Sequence, residues 1–398
     1  MSKPTRDLVI LSGVRTPMGT MSGSLKKMTA TDLAVASATP ALERAGVSPE
    51  DIDHVVYGNV LQTANDAIYL PRHVGLRAGI PQSVPALGVN RLCGSGFQAI
   101  VTAAEQILTG QADVVLCGGT EQMTQAPMVI HGMRDAARFG RPPKMQDLLW
   151  ECLTDTFTGI PMAVTAENLA DEHNIDREAC DIFALESHQR WIKAQDAGRF
   201  EDELCAVEVP SRRGVKRFEV DEHPRRDISI ESLQKLAPVF VRDTGRVTAG
   251  NASGIGDGAA SLVVADASWA EAKGLNPLAR IVSWGVSGCD PKVMGIGPVP
   301  ASQRALKAAG LSIADMALVE VNEAFAPQYL AVEKVLGLDR SITNVNGGAI
   351  AMSHPLGATG ARIMTTLTHA LRRRGERYGL GTACIGGGQG IAVVIEAL

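Results

Sequence analysis

Aromatic side chains are scarce in this chain of 398 residues: four Trp, four Tyr and eight Phe, 4% of the whole. A recognition surface built on stacked rings is therefore disfavoured. An excess of one charge is missing too. The 38 Lys and Arg stand against 43 Asp and Glu, a formal net charge of −5, which gives no general attraction to nucleic acid. No run of 18 apolar residues occurs, so no membrane span is expected. The polar start Met1 to Asp7 leads directly into Leu8-Val9-Ile10-Leu11, without the apolar core and cleavage region of a signal peptide. A cytoplasmic-type compartment is the resulting expectation. The seven cysteines (Cys93, Cys117, Cys152, Cys180, Cys205, Cys289 and Cys384) are odd in number, widely spaced and without a Cys-x-x-Cys pair. That argues against a structural zinc site or a disulfide framework and for free thiols, most of them small buried hydrophobes.

Glycine, in contrast, is plentiful at 41 residues, and 45% of the chain is hydrophobic. Close backbone contacts and small-residue packing are expected, in a fold large enough to bury about 75% of its surface. A disguised repeat divides the chain. Ala41-Leu42-Glu43-Arg44-Ala45-Gly46-Val47-Ser48 answers Ala305-Leu306-Lys307-Ala308-Ala309-Gly310-Leu311-Ser312, and both lead to an apolar strand and an Asn, Asn59 or Asn322. A helical segment opens at Cys93-Gly94-Ser95-Gly96 and leads to Val114-Val115-Leu116-Cys117; another opens at His354-Pro355-Leu356-Gly357 and leads to the strand Gly390 to Glu396. The pattern predicts two similar α/β halves packed as layers, with their most buried helices between the sheets. The expected division is residues 1–123 plus 246–275 for the first half, 124–245 for an inserted loop domain, and 276–398 for the second half. Within the insert a helix is predicted over 176–197, capped by Asp176. The run Ala259 to Ala265 is expected to rejoin the first sheet.

Four places carry residues suited to chemistry, each with a plainer alternative. Cys93, at a tight turn into a helix, sees unpaired N–H groups that favour thiolate; it also fits a buried structural cysteine. His354, held just before Pro355, suits a neutral general base or a satisfied cap. Cys384 opens Cys384-Ile385-Gly386-Gly387-Gly388-Gln389-Gly390, where glycines allow backbone N–H groups to meet an oxyanion or merely make a flexible turn. This order, before the last strand and without a following helix, is not a dinucleotide fingerprint. Asn322, after the strand Leu318 to Val321, suits a water or substrate oxygen, or an ordinary cap.

Taken together, these motifs resemble the thiolase family over essentially the whole chain. The resemblance rests on Asn90-Arg91-Leu92-Cys93-Gly94-Ser95-Gly96, Asn322-Glu323-Ala324-Phe325-Ala326, Asn346-Gly347-Gly348 through His354-Pro355-Leu356-Gly357, and Cys384-Ile385-Gly386-Gly387-Gly388. The middle, with Gly159-Ile160-Pro161-Met162 and Asp221-Glu222-His223-Pro224-Arg225, is similar to the degradative branch that cleaves 3-ketoacyl-CoA. Two departures stand out: Pro161 where biosynthetic members carry His, and Ser353 where the family often has Gly. The resemblance implies a five-layer αβαβα fold and a homodimer or homotetramer, the tetramer through the 124–145 loop. It implies no prosthetic group or metal, with CoA and acyl-CoA as substrates and fatty-acid β-oxidation enzymes as partners. The compartment it implies is cytoplasmic in a bacterium or mitochondrial in a eukaryote. It makes Cys93 the nucleophile, His354 its base, Cys384 the second acid/base, and Asn322 the holder of a water. The N–H groups of Cys93 and Gly386 become the oxyanion donors. Arg225 would meet the adenine and phosphates of CoA, Ser253 its pantetheine, and Met162 the acyl or pantetheine channel. An acetoacetyl-CoA thiolase acting mainly in condensation and an inactive CoA-binding scaffold are the alternative expectations.

Overall fold

The computed structural model describes residues 6–133, 140, 142–211 and 214–398. The sequence features at Arg138–Pro143, the basic run Arg212–Arg217 and the 124–145 loop lie partly outside the described residues.

The first half opens with strand β1 (Leu8–Arg15) and helix α1 (Ala30–Ala45). Thr29 and Asp32 close a reciprocal cap at the helix start, and Gly46 ends it at φ 66°, a left-handed conformation that glycine adopts without a Cβ clash. Strands β2 (His54–Gly58) and β3 (Ala86–Val89), helix α2 (Ser95–Leu108) and strand β4 (Val114–Gln122) follow. The intervening region holds helices α3 (Met162–His173) and α4 (Arg177–Asp196), the latter capped by Asp176 as expected. Strand β5 (Gly256–Asp266) then returns to the first half, pairing antiparallel with both β1 and β4.

The second half repeats the first. It consists of β6 (Ala279–Gly288), α5 (Pro298–Ala309), β7 (Leu318–Val321), α6 (Ala326–Leu336), α7 (Leu356–Arg374), β8 (Tyr378–Ile385) and β9 (Gln389–Ala397). Helix α5 ends at Gly310 with φ 69°, the counterpart of Gly46. The pairing β1–β5–β4–β2 is antiparallel, antiparallel, parallel, and β6–β9–β8–β7 follows the same rule. Even a local irregularity recurs: β1 slips register between Ile10 and Ser12, β6 between Ile281 and Ser283. Beside each slip a serine hydroxyl donates to a helix carbonyl, Ser12 to Ala41 at 2.6 Å and Ser283 to Ala305 at 2.7 Å.

Two corrections to the sequence reading follow. The counterpart of β4 is β8, a strand the sequence pattern passes over; the last strand, β9, answers β5. Glycines hide β8: Gly379 and Gly381 sit where Leu367, Leu371 and Met364 of α7 press on the sheet, and a Cβ would come within 2.9 Å of their side chains. The two half-sheets are also joined, because Leu8–Ile10 pairs antiparallel with Ala279–Ile281. Layering is as expected. One apolar core lies around α2 and α7 between the half-sheets, a second beneath α1, and a third beneath α5 and α6.

The intervening region is more than a loop. Leu169 and Phe183 of α3 and α4 enter the core beneath α5 and α6, and the Phe183 ring stacks on Tyr329 with centroids 4.0 Å apart. Arg15, fully buried on β1, is clamped by Glu203 at 2.6 Å and Asp221 at 2.7 Å. These contacts tie the insertion to both halves. No helix among the described residues is long and apolar enough to cross a membrane.

Candidate active site

The site arises where α2 and α7 cross at their N-terminal ends. A Cβ at Gly96 would lie 2.5 Å from the Ala361 nitrogen, and one at Gly360 would lie 2.2 Å from the Phe97 nitrogen. Only glycine permits that backbone contact. It brings together Cys93, two residues before α2, and His354, two residues before α7. Pro355 is the N-cap of α7.

Cys93 follows Leu92, whose φ of 47° places it in the left-handed region. The turn is held by its own bonds: Ser95 Oγ donates to the Leu92 carbonyl at 2.7 Å and accepts from Arg91 N–H at 2.9 Å. Arg91 Nη1 reaches Gln389 Oε1 at 2.9 Å and fastens the turn to β9. Burial pushes the Cys93 thiol up to about 11, opposed by hydrogen bonds from the Gly386 N–H and its own N–H. The sequence expectation of a thiolate favoured by the helix end is therefore corrected: desolvation outweighs it, and the resting group is a thiol that needs a base.

His354 is 6% exposed. Its Nδ1 lies 2.6 Å from Thr359 Oγ1, and that hydroxyl donates to the Pro355 carbonyl at 2.9 Å. A hydroxyl has one proton to give. With that proton on Pro355, Thr359 must accept from Nδ1–H, which leaves Nε2 as the lone-pair nitrogen. Asn322 Nδ2 sits 3.3 Å from Nε2, and Asn322 Oδ1 is buried with no protein partner. Burial, then the charge of Arg362, pushes the imidazole down to about 3. It is neutral, as expected, with burial the larger cause.

Cys384 is the penultimate residue of β8 and is fully buried. Burial and the neighbouring Cys93 thiol hold its own thiol well above the usual range. Gly386 follows, and Gly387 and Gly388 turn the chain at φ 79° and 85°. Behind Cys93 the buried Glu121 accepts hydrogen bonds from Asn59 Nδ2, Val60 N, Leu61 N and Gly357 N, all within 3.1 Å. It stitches the β2 end to the start of α7.

Cys93 and His354 open into a cavity of about 410 Å³. Met123, Leu149, Trp150, Phe240 and Leu356 make most of its wall apolar, with Ser253 and Met162 also on it. Cys384 and Asn322 lie one layer behind; Cys384 packs on Met162, Met294 and Ala324, which do line the space. Arg225 is apart from this group. It lines a second cavity of about 440 Å³ with His188, His223 and Asp227, which meets the first at Ala249. Thr359, Glu121 and Arg362 were not legible as site residues. Thr359 alone left a signal, a hydroxyl one helical turn beyond the histidine.

A cavity lined by a thiol and a neutral imidazole, with a second thiol and a glycine turn behind its wall, suits acyl transfer, and the chain belongs to the thiolase family. Residues 8–268 match the thiolase N-terminal domain and residues 275–397 the thiolase C-terminal domain. It is an acyltransferase of that family, and the particular likeness is to 3-ketoacyl-CoA thiolases. The human "3-ketoacyl-CoA thiolase, mitochondrial" is 57% identical over 392 residues, 98% of each chain. The crystal structure of the human mitochondrial enzyme in complex with CoA superposes with a TM-score of 0.96 at 56% identity, covering 99% of this chain and 98% of that one. The acetyl-CoA acetyltransferase of Bacillus anthracis also superposes with a TM-score of 0.96, at 45% identity and 99% coverage of both.

Proposed function

We propose that the protein cleaves 3-ketoacyl-CoA with CoA, giving acetyl-CoA and an acyl-CoA two carbons shorter. The observation that carries this reading is the presence of Cys93 and an Nε2-unprotonated His354 on the wall of one apolar cavity, with a second thiol behind that wall. His354 Nε2 takes the Cys93 proton as the sulfur attacks C3. The C2–C3 bond breaks, leaving an acyl thioester on Cys93 and an enolate of acetyl-CoA, which takes its proton from Cys384. The Cys384 thiolate then deprotonates incoming CoA, and the CoA sulfur displaces the acyl group. Cys93 recovers its proton from His354. Gly386 N–H and Cys93 N–H already point at the sulfur and serve the tetrahedral oxyanion; losing one such donor costs about 3–4 kcal/mol. Asn322 and His354 serve the enolate oxygen.

CoA enters through the Arg225 cavity, its pantetheine running past Ser253 and Met162 to the thiols. The division into two halves at 1–123 plus 246–275 and 276–398, with 124–245 inserted, serves this path, since the insertion builds one wall of it. A homodimer or homotetramer fits the open edge of β3, where Leu87 is exposed. The route by which fatty acids lose two carbons at a time is the fitting pathway, and a matrix or cytoplasmic location follows the source.

The test is CoA-dependent cleavage of acetoacetyl-CoA and a ten-carbon 3-ketoacyl-CoA, with Cys93→Ala as the blank. Turnover of both, lost in the variant, is expected. Cleavage of acetoacetyl-CoA alone would make the protein a short-chain acetyltransferase, and CoA binding without turnover would make it a scaffold.

A further inference from the structure

Arg362 lies two turns into α7, the helix that begins beyond His354, and is 2% exposed. Its Nη1 is 3.7 Å from Glu320 Oε2, too long for a hydrogen bond, and has no hydrogen-bond partner at all. Glu320 is on β7, two residues before Asn322. A buried cation so loosely compensated costs stability rather than adding it; apolar residues of similar size usually serve a core better. The pair nonetheless spans the two elements that carry the base and its amide partner.

We propose that Arg362 is a positioning residue for the reaction: its pairing with Glu320 registers the β7 end that carries Asn322 against the helix that carries His354, and its charge shares their buried compartment. This rests on the thiolytic reading above. The charged groups around the guanidinium are Glu320 on β7, Glu323 just beyond it, Glu203 from the insertion and Arg15 on β1. Arg190 on α4 also acts on Glu320. Arg362 is the charged group that acts on the imidazole. Its field opposes a second proton on His354, so the base stays available as the medium is acidified.

The test uses full-length protein and two readouts. One is kcat and KM for CoA in thiolysis; the other is the pH dependence of Cys93 alkylation by iodoacetamide, followed on the Cys93 peptide by mass spectrometry. Arg362→Gln should lower kcat on the order of 10-fold, as removal of supporting partners typically does. KM should change little, and the acid limb of alkylation should move to higher pH because His354 protonates sooner. Arg362→Lys should keep the wild-type acid limb and recover part of kcat. If Arg362→Gln does not fold, Arg362→Lys and Glu320→Gln decide: Glu320→Gln should lower kcat with the acid limb no higher than wild type. Variants that melt earlier but keep both kcat and the acid limb would reduce Arg362 to a structural residue. Alkylation needs no CoA. Wild-type protein that alkylates normally yet cleaves no 3-ketoacyl-CoA would sink the functional reading and this proposal with it, whereas wild-type cleavage with kcat and acid limb both unchanged in the variants would sink this proposal alone.

Discussion

Ser353 shows how one residue can sit against its backbone. Its φ of 84° and ψ of 169° fall in a region that is essentially glycine's alone, and its hydroxyl is buried with no partner. Such a conformation costs of order 1–3 kcal/mol. Glycine at this position would shed that strain while losing about 0.5–1 kcal/mol to its freer unfolded chain. Ser353→Gly is therefore expected to stabilise the protein by about 1 kcal/mol, read as a higher denaturation midpoint in urea. A lower midpoint would show that the hydroxyl or its Cβ stabilises the turn. The residue scale is also where sequence reading was strongest and weakest. Cys93 and His354 were legible because each stands at an abrupt turn beside glycine or proline. The protonation state of Cys93 was not, because burial is a property of the whole fold and here outweighs the local helix end.

At the scale of elements, the catalytic spacing depends on a helix crossing built without side chains. Gly96→Ala would place a methyl 2.5 Å from the Ala361 nitrogen, and backbone, unlike a flexible side chain, cannot step aside. The expected outcome is a loss of about 1–3 kcal/mol in stability, together with a fall in kcat as Cys93 and His354 move apart. Unchanged kcat in the folded variant would show that the crossing is not what sets their separation. Asp176, read from the sequence as a cap, opens α4, and Gly46 and Gly310 close α1 and α5 at matching places in the repeat. Strand β8 was missed because its glycines answer to the shape of α7, a partner some ten residues away and invisible to any local pattern. Thr359 and Arg362 escaped for a related reason, since their roles depend on which way one helix turns its faces.

For the molecule as a whole, buried ionisable groups give stability a maximum in pH. His354 and His188 are pushed down to about 3 and about 4 from 6.5. The unfolded chain binds more protons than the folded one between those values, so their contribution is full above about pH 6.5 and drains away as the medium is acidified. Burial pushes Asp221 up, but Arg15 outweighs it and holds the carboxyl below the usual range, which adds to that acid loss at lower pH. Glu320 and Glu121 have the opposite sign: burial pushes them up to about 8 and about 7 from 4.5, so their contribution is full below about pH 4.5 and lost as pH rises through those values. Melting temperature should be highest between about pH 4.5 and 6.5 and fall on either side, and Glu320→Gln should flatten the alkaline limb. A monotonic profile would contradict this balance. The clamp on Arg15 also predicts that Asp221→Asn, which strands part of a buried charge, costs about 3–5 kcal/mol, measurable by chemical denaturation.

The repeated halves have one more consequence. Cys93 and His354 occupy the same station, two residues ahead of equivalent helices in two copies of one design. An assembly of two identical short chains would have to place the same side chain at both stations, thiol facing thiol or imidazole facing imidazole. Joining the copies end to end removes that identity, and each station becomes free to specialise. In one continuous chain the two stations differ, Cys93 at one and His354 at the other, and the proposed division between nucleophile and base needs that asymmetry.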